Sequence, residues 1–248
     1  MKAAVLHEVN QPLVIEDVSV PNPGPREVLI RTAVAGLCHS DLHFMEGLYP
    51  HPLPAVLGHE SAGVVEKVGS DVNYVKPGDH VVTCLSVFCG TCDNCTTGRT
   101  VLCTDTTVKM LPGASNRLSW GRKEKLNQFL NLSSFAEQML VHENAIVKIK
   151  KEMPLDLAAL IGCGVITGYG AVVNTAKVTA GETVAVSIAT AWHCVAGKTT
   201  LFNCLSRLYQ PSSGDIADAA LEDLGDLDRQ RRAATRCASP GSAAARAT

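Results

Sequence analysis

Residues 57–72 read LGHESAGVVEKVGSDV, and the central part of this stretch, SAGVVEKVGS (61–70), is a short β-type segment that ends in turn residues. Similar segments occur elsewhere in the first half of the chain: AAVLHE (3–8), LVIEDVSV (13–20), EVLIRTAVAGL (27–37) and DHVVTCL (79–85). Turn clusters also occur there, PNPGP at 21–25 and KPGD at 76–79. Short strands with turns between them predict a mainly β domain, built as an antiparallel barrel or sandwich.

The chain of 248 residues is long enough to bury a core, and its composition argues against several functional classes. The 22 basic and 24 acidic residues give a formal net charge of -2, so we expect no nucleic-acid partner and no membrane partner. Ten cysteines are many for a chain whose first residues, MKAAVLHEVNQ, do not form a signal-peptide core. We therefore expect a cytoplasmic protein whose thiols bind metal or take part in catalysis.

The composition changes twice in the second half of the chain. Residues 157–176 carry no charge but contain four glycines, which predicts a buried helix pair rather than a membrane span. A turn at 180–182 leads into an apolar strand, TVAVSI (183–188), and the order helix, turn, strand is typical of a parallel α/β unit. The composition changes again after residue 187. Residues 217–248 have ten Ala, five Arg and few large apolar residues, which predicts disorder.

Four cysteines lie close together in a loop of polar residues. Cys89, Cys92, Cys95 and Cys103 form the pattern C-x2-C-x2-C-x7-C. Four thiolates at this spacing can surround one tetrahedral zinc ion, and a shell of four sulfurs leaves no position for a substrate. The pattern therefore predicts a structural zinc site. Two alternatives stay open: an iron–sulfur cluster, which also takes four thiolates, and reduced cysteines without metal.

Five motifs follow one another along the chain: GLCHSDLH (36–43), LGHESAGVVEKVGSDV (57–72), KPGDHVV (76–82), CGTCDNC (89–95) and IGCGVITGYGAVV (161–173). A single cysteine or histidine in such a motif is more often structural than functional. Together, the motifs and their order closely resemble the zinc-dependent alcohol dehydrogenases of the medium-chain dehydrogenase/reductase family. The resemblance extends from Lys2 to Val186. It implies a chaperonin-10-like barrel for the first domain.

The resemblance also implies a second, open zinc site. Cys38, His59 and Cys163 match the three protein ligands of the catalytic zinc, and such a site keeps one position for the substrate. Glu60 matches the acid beside the histidine ligand, and Asp41 matches the carboxylate that orients the histidine ring. Zinc in a water-poor site lowers the pKa of an alcohol and favours transfer of its hydride to a nicotinamide ring.

Three further residues are assigned by the same resemblance. Ser40 matches the hydroxyl that takes the proton of the alcohol, and His43 matches the imidazole that passes this proton to solvent. His39 lies where the family has a basic residue near the pyrophosphate of the cofactor. The resemblance thus implies interconversion of a small alcohol and its aldehyde or ketone, with NAD or NADP as the cofactor.

The resemblance ends after Val186. The cofactor domain of the family needs a G-x-G-x-x-G turn after its first strand, but residues 183–196 contain no glycine. Residues 195–216, VAGKTTLFNCLSRLYQPSSGDI, instead resemble the phosphate-loop segment of an ABC-transporter ATPase. Trp192 stands where that loop needs its first glycine. We therefore expect a junction between unrelated segments at 186–187, produced by a fusion, a frameshift or an assembly error.

These observations predict the domain organisation. A catalytic domain spans 1–154 and includes a zinc lobe at 89–103. Residues 155–186 supply a linking helix and the first strand of a truncated Rossmann domain, and residues 187–248 form an unrelated tail that is disordered over 217–248. The predicted function is a zinc-dependent alcohol dehydrogenase that lacks most of its cofactor site. The alternatives are a zinc-stabilised domain without catalysis and an ATP-binding module. The oligomeric state is not predicted.

Overall fold

A computed structural model describes residues 1–109, 117–120 and 124–181 of the chain. Its strands are β1 Lys2–Leu6, β2 Val14–Asp17, β3 Glu27–Gly36, β4 Ala55–Val56, β5 Glu60–Val68, β6 His80–Thr83, β7 Leu118–Trp120, β8 Glu124–Gln128, β9 Gln138–His142 and β10 Ile146–Ile149. Its α-helices are α1 His39–Met45, α2 Asp93–Thr96, α3 Leu155–Ala159 and α4 Ile166–Gly170. The predicted mainly β fold is confirmed. The strand predicted at 183–188, the tail at 187–248 and its disorder at 217–248 lie outside the described residues.

Two five-stranded sheets make up the β domain. One sheet has the order β2-β1-β4-β8-β7, and the other has the order β10-β6-β5-β3-β9. The named strand pairs of the described residues are antiparallel except for β4 and β8, which run parallel. In the second sheet, Val28 and Ile30 of β3 are fully buried and pack in one core with Met139 and Val141 of β9. Val28 and Ile30, on the same face of this long strand, therefore contribute to the buried face of the sheet.

The second sheet also places two of the sequence motifs side by side. Strand β3 ends at Gly36, which lies opposite Glu60 at the start of β5. The chain leaves β3 through Leu37 and Cys38 and enters α1, while His59 immediately precedes β5. Antiparallel pairing therefore brings the end of the first motif next to the start of the second, although more than twenty residues separate them in the sequence.

Residues 155–175 form one continuous helix, so the prediction of a helix pair is wrong. The helix comprises α3, a π-helical turn at Ile161–Val165, α4 and a second π-helical turn at Ala171–Thr175. Its glycines do not end it: Gly162 and Gly164 lie inside the first π turn, where both are buried. By length and composition, the helix is also apolar enough to cross a membrane. The expected absence of a membrane partner stays a prediction.

The start of this helix packs on the β domain. Ala158 and Ala159 are fully buried and pack in one cluster with Ala62 of β5. Small side chains on both elements allow the helix axis to lie close to the sheet. The later part of the helix leaves Ile166 and Tyr169 exposed. The start of the helix therefore anchors it on the β domain, and the π-helical turn that follows α3 carries Cys163.

Candidate metal centres

The four cysteines of the lobe at 89–103 converge on one point, with their sulfur atoms all within 4.8 Å of one another. The Sγ–Sγ distance is 3.5 Å for Cys92 and Cys95, and 3.9 Å for Cys92 and Cys103. Four sulfurs bound tetrahedrally to zinc lie about 3.8 Å apart, whereas the two sulfurs of a disulfide lie about 2.0 Å apart. The cysteines are free of disulfides, and their spacing fits a single metal ion.

Hydrogen bonds favour the thiolate form of Cys89 and Cys92, whereas burial raises the pKa of Cys95 to about 12. Backbone N–H groups of Thr91 and Cys92 donate to the Cys89 sulfur at 3.4 and 3.3 Å. A backbone hydrogen bond from Thr104 is the main cause that lowers the pKa of Cys92 to about 5. The short helix α2 starts directly after Cys92 and places Cys95 one turn later. Thiolates are the form of cysteine that binds zinc, so the lobe is preorganised for a closed four-sulfur site.

A second cluster lies where the motifs at 36–43 and 57–72 of the β domain meet the helix at 155–175. The side chains of Cys38, His59, Glu60 and Cys163 offer metal-ligating atoms that all lie within 4.8 Å of one another. The Cys163 sulfur is 3.4 Å from Nε2 of His59, although these residues are 104 positions apart in the sequence. The fold thus brings together the three predicted ligands and the predicted neighbouring acid. Their roles in metal binding stay a prediction.

Asp41 holds the imidazole of His59 in one orientation. Both side chains are almost fully buried, and Nδ1 of His59 lies 3.1 Å from the Asp41 carboxylate. The carboxylate also accepts backbone N–H groups of Cys38 and Gly58, each at 3.2 Å. Because the Nδ1–H group donates a hydrogen bond to Asp41, the neutral imidazole would carry its lone pair on Nε2, which faces the Cys163 sulfur. This is the tautomer that binds a metal ion through Nε2.

Gly58 is required for this arrangement. Its φ is +91°, in the left-handed region, and a Cβ atom would come within 2.5 Å of the side chains of Ser134 and Phe135. Glycine therefore permits the turn that presents both the Gly58 N–H group and the His59 ring to Asp41.

The pKa values of the side chains in this cluster are strongly shifted. Burial lowers the pKa of His59, but hydrogen bonds to Asp41 and Cys38 outweigh burial and raise this pKa to about 10. A hydrogen bond from Cys163 lowers the pKa of Cys38 to about 3, against the effect of burial. The same hydrogen bond raises the pKa of Cys163, and burial raises the pKa of Glu60. These shifts favour the thiolate at Cys38, and metal binding would release the protons held by its neighbours.

The residues of the predicted proton relay lie on α1. Ser40 supplies hydrogen bonds that help to lower the pKa of Cys38. The His43 ring contacts the rings of His39 and Tyr49, with centroid distances of 4.6 and 5.3 Å. Nδ1 of His43 is buried and has no hydrogen-bond partner in the described part of the chain. No hydrogen bond joins Ser40 to His43 among these residues either, so the relay and the cofactor contact of His39 stay predictions.

The aromatic ring of Phe129 packs beside the cluster, and the sequence analysis did not predict this contact. Phe129 is fully buried, with ring centroids 6.0 Å from His59, 4.7 Å from Phe44 and 5.2 Å from His51. Phe129 directly follows β8 and belongs to the core cluster that also holds Leu57. A single aromatic residue at the end of a strand has no spacing pattern that links it to a site. Here it packs beside the imidazole in a T-shaped arrangement and helps to bury His59.

A cavity of about 410 Å³ lies elsewhere, beside the four-cysteine lobe. Its described lining includes Arg26, Glu27, Arg117 and His142 but none of the four residues of the second cluster. The charged lining is largely neutralised internally, because Arg117 pairs with Glu27 at 2.6 Å. This cavity is therefore separate from the candidate site at His59.

Residues 24–151 match the family described as the alcohol dehydrogenase GroES-like domain. The chain belongs to this family. S-(hydroxymethyl)glutathione dehydrogenase of Saccharomyces cerevisiae is 41% identical to the chain over 189 residues, which cover 74% of this chain and 49% of that protein. Class-3 alcohol dehydrogenase of Drosophila melanogaster is 43% identical over 190 residues, which cover 75% of this chain and 50% of that protein.

A solved structure supports the same assignment of the GroES-like domain. An alcohol dehydrogenase zinc-binding domain protein from Burkholderia ambifaria superposes with a TM-score of 0.68 and 40% identity. The superposition covers 73% of this chain and 50% of that structure. The chain thus spans about half the length of the relatives it matches. The phosphate-loop resemblance at 195–216 lies outside both the family match and the described residues.

Proposed function

We propose that this chain carries the metal-binding, catalytic half of a zinc-dependent alcohol dehydrogenase that transfers hydride between a small alcohol or aldehyde and NAD or NADP. The convergence of Cys38, His59 and Cys163, with Asp41 holding the histidine ring, is the observation that supports this function most. Two sulfurs and one imidazole nitrogen form a three-ligand set that suits zinc and keeps a position open for substrate.

The donor set fits the proposed ion. Zinc bound at this site would supply a Lewis acid that makes the hydroxyl of an alcohol more acidic and favours hydride transfer. The lowered pKa of Cys38 favours its thiolate form, and Nε2 of His59 faces the site. Phe129 packs beside the imidazole, and the burial of His59 strengthens electrostatic interactions there. Glu60 is buried beside the ligands.

Proton movement is assigned to α1. Ser40 lies two residues after Cys38, close enough to hydrogen-bond its sulfur, and is the proposed acceptor of the substrate proton. His43 lies one helical turn later with a buried, unpartnered Nδ1 among the described residues, and is the proposed group that passes the proton on. His39 is exposed beside it and is the proposed contact for the cofactor pyrophosphate.

Cobalt substitution tests the proposal, because cobalt(II) reports the geometry of its ligands in the visible spectrum. We expect a primary alcohol or its aldehyde to change the spectrum of the cobalt-loaded full chain. The Cys92→Ser variant should keep this response, since it alters the four-cysteine lobe, and the Cys38→Ser variant should lose it. A wild-type spectrum that no alcohol or aldehyde changes would argue for a zinc-stabilised domain without catalysis.

We expect no reduction of NAD or NADP by this chain with any alcohol. Hydride transfer needs the nicotinamide held against the substrate, and such positioning contributes about 7–11 kcal/mol to lowering a barrier. Residues 183–196 contain no glycine for the phosphate-binding turn. Reduction of NAD in a zinc-dependent assay with the purified 248-residue chain would contradict this expectation.

A further inference from the structure

Cys163 reaches the candidate zinc site from a different part of the fold than its partners. Cys38 lies between β3 and α1, while His59 and Glu60 lie at the start of β5. Cys163 lies in the π-helical turn at Ile161–Val165 of the helix at 155–175. The position of its sulfur therefore depends on how closely this helix packs on the sheet.

Gly162 makes the closest contact between the helix and the sheet at this point. A Cβ atom on Gly162 would lie 1.9 Å from the carbonyl oxygen of Thr83 in β6, whereas real Cβ atoms stay at least 3.0 Å from their neighbours. Any side chain at 162 would force the two elements apart by about 1.1 Å, the difference between these distances. Gly162 is buried, so no alternative space is available for the added methyl group.

The sheet resists displacement at this contact, because Thr83 is paired with Ile146 of β10 and its side chain is hydrogen-bonded. The Thr83 hydroxyl lies 2.7 Å from the hydroxyl of Ser61 and also bonds the Ser61 carbonyl at 3.2 Å. Both residues are fully buried, and Ser61 follows Glu60 directly in β5. Displacement at this contact therefore moves the helix and its Cys163 sulfur.

The π-helical turn gives the same region its shape. The N–H group of Val165 donates to the carbonyl of Leu160 at 3.0 Å, so the turn is one residue wider than an α-helical turn. Gly162 and Gly164 flank Cys163 in this wide turn, and both are buried. The cysteine is thus placed by a local geometry in which glycine occupies both neighbouring positions.

We propose that Gly162 is a positioning residue for the zinc site: its missing side chain lets the helix rest on the Thr83 carbonyl, and this contact places the Cys163 sulfur beside His59. The inference rests on the proposed zinc function of the Cys38, His59 and Cys163 cluster. Zinc–ligand distances are defined to about 0.2 Å, so a displacement of about 1.1 Å removes the third ligand.

The test compares Gly162→Ala with Gly170→Ala in the full chain. Both variants add one methyl group to the same helix, but the nearest atom to a Cβ at 170 is Nδ2 of Asn174, at an ordinary 3.9 Å. Three measurements apply to each zinc-loaded protein: zinc per chain, the charge-transfer band of the cobalt-loaded form, and the iodoacetamide labelling rate of Cys163. Cys163→Ser and chelator-treated wild type provide the reference values.

We expect Gly162→Ala to lose one zinc ion per chain, to reproduce the cobalt spectrum of Cys163→Ser, and to label at Cys163 as fast as chelator-treated wild type. Gly170→Ala should match wild type in all three measurements. A glycine with a merely structural role would lower the urea midpoint without changing the zinc count. Full zinc content and a protected Cys163 in Gly162→Ala overturn the inference.

Two other results are also decisive. If wild type binds zinc at the four-cysteine lobe alone, the proposed function fails first and the inference fails with it. If Gly162→Ala loses the lobe zinc as well, Ala159→Val replaces it, because Ala159 is fully buried where the same helix packs on Ala62 of β5, away from the lobe. Loss of the open-site zinc in Ala159→Val supports the inference, and its retention there overturns it.

Discussion

Replacing Asp41 by alanine tests whether this buried carboxylate organises the open metal site. Asp41 is 3% exposed and accepts three hydrogen bonds, from Nδ1 of His59 and from the backbone N–H groups of Cys38 and Gly58. Alanine would leave all three donors without their acceptor. It would also free the His59 ring to adopt the other tautomer and other orientations.

The expected magnitude follows from these three bonds. A buried donor left unpaired costs about 1–3 kcal/mol, and at the lower figure the three donors together cost about 3 kcal/mol. Domains of this kind have an unfolding free energy of about 5–15 kcal/mol, so Asp41→Ala should still fold. Loss of the partner that orients a metal-binding histidine weakens metal affinity by about 10- to 100-fold.

Two assays separate these effects. Urea unfolding in the presence of a chelator measures the loss of unfolding free energy without metal. Competition with a chromophoric chelator measures zinc affinity, with Cys92→Ser as the background so that the open site dominates the signal. The matched control is Asp17→Ala, whose side chain is 78% exposed and pairs with Lys2, and we expect no measurable change in either assay. Wild-type zinc affinity in Asp41→Ala would refute the reasoning.

Three further predictions follow from the described residues. Cys92→Ser should lower the zinc content by one ion per chain while His59→Ala removes a different ion, as elemental analysis of the single and double variants would show. Phe129→Ala should reduce the unfolding free energy by about 3–5 kcal/mol in urea titrations, because its fully buried ring leaves a cavity beside His59. Asp79→Asn should be less stable than wild type at pH 7 and approach it below pH 3.8, because a hydrogen bond from Lys148 lowers the pKa of Asp79 and this stabilisation is lost as Asp79 becomes protonated.

The sequence predicted the β domain because its strands carry local signals. The segments around β1, β2, β3, β5 and β6 are short, apolar and bounded by turn residues, and the structure places strands in each of them. Strands β4 and β7 to β10 were not predicted individually. The pairing of β9 with β3 depends on a partner more than a hundred residues away, whereas β7 pairs with the neighbouring β8. The single helix at 155–175 was predicted as a pair of helices, because the segment contains four glycines.

The residue types of both metal clusters were readable from the sequence. The four cysteines of the lobe lie within fifteen residues, so their spacing alone indicates that they bind one metal ion. Cys38, His59 and Cys163 have no such local spacing. They were identified through motifs that resemble a known family, and their meeting point could not be derived from the chain itself.

Tertiary structure decided how close these side chains come and what surrounds them. Antiparallel pairing of β3 with β5 brings Cys38 to His59, and the contact between Gly162 and Thr83 brings Cys163 to both. His59 is likewise contacted from two further elements, by the Phe129 ring after β8 and by the Asp41 carboxylate on α1. A sequence determines which donors are available through short-range chemistry, but the distances between donors depend on backbone packing that no local pattern contains.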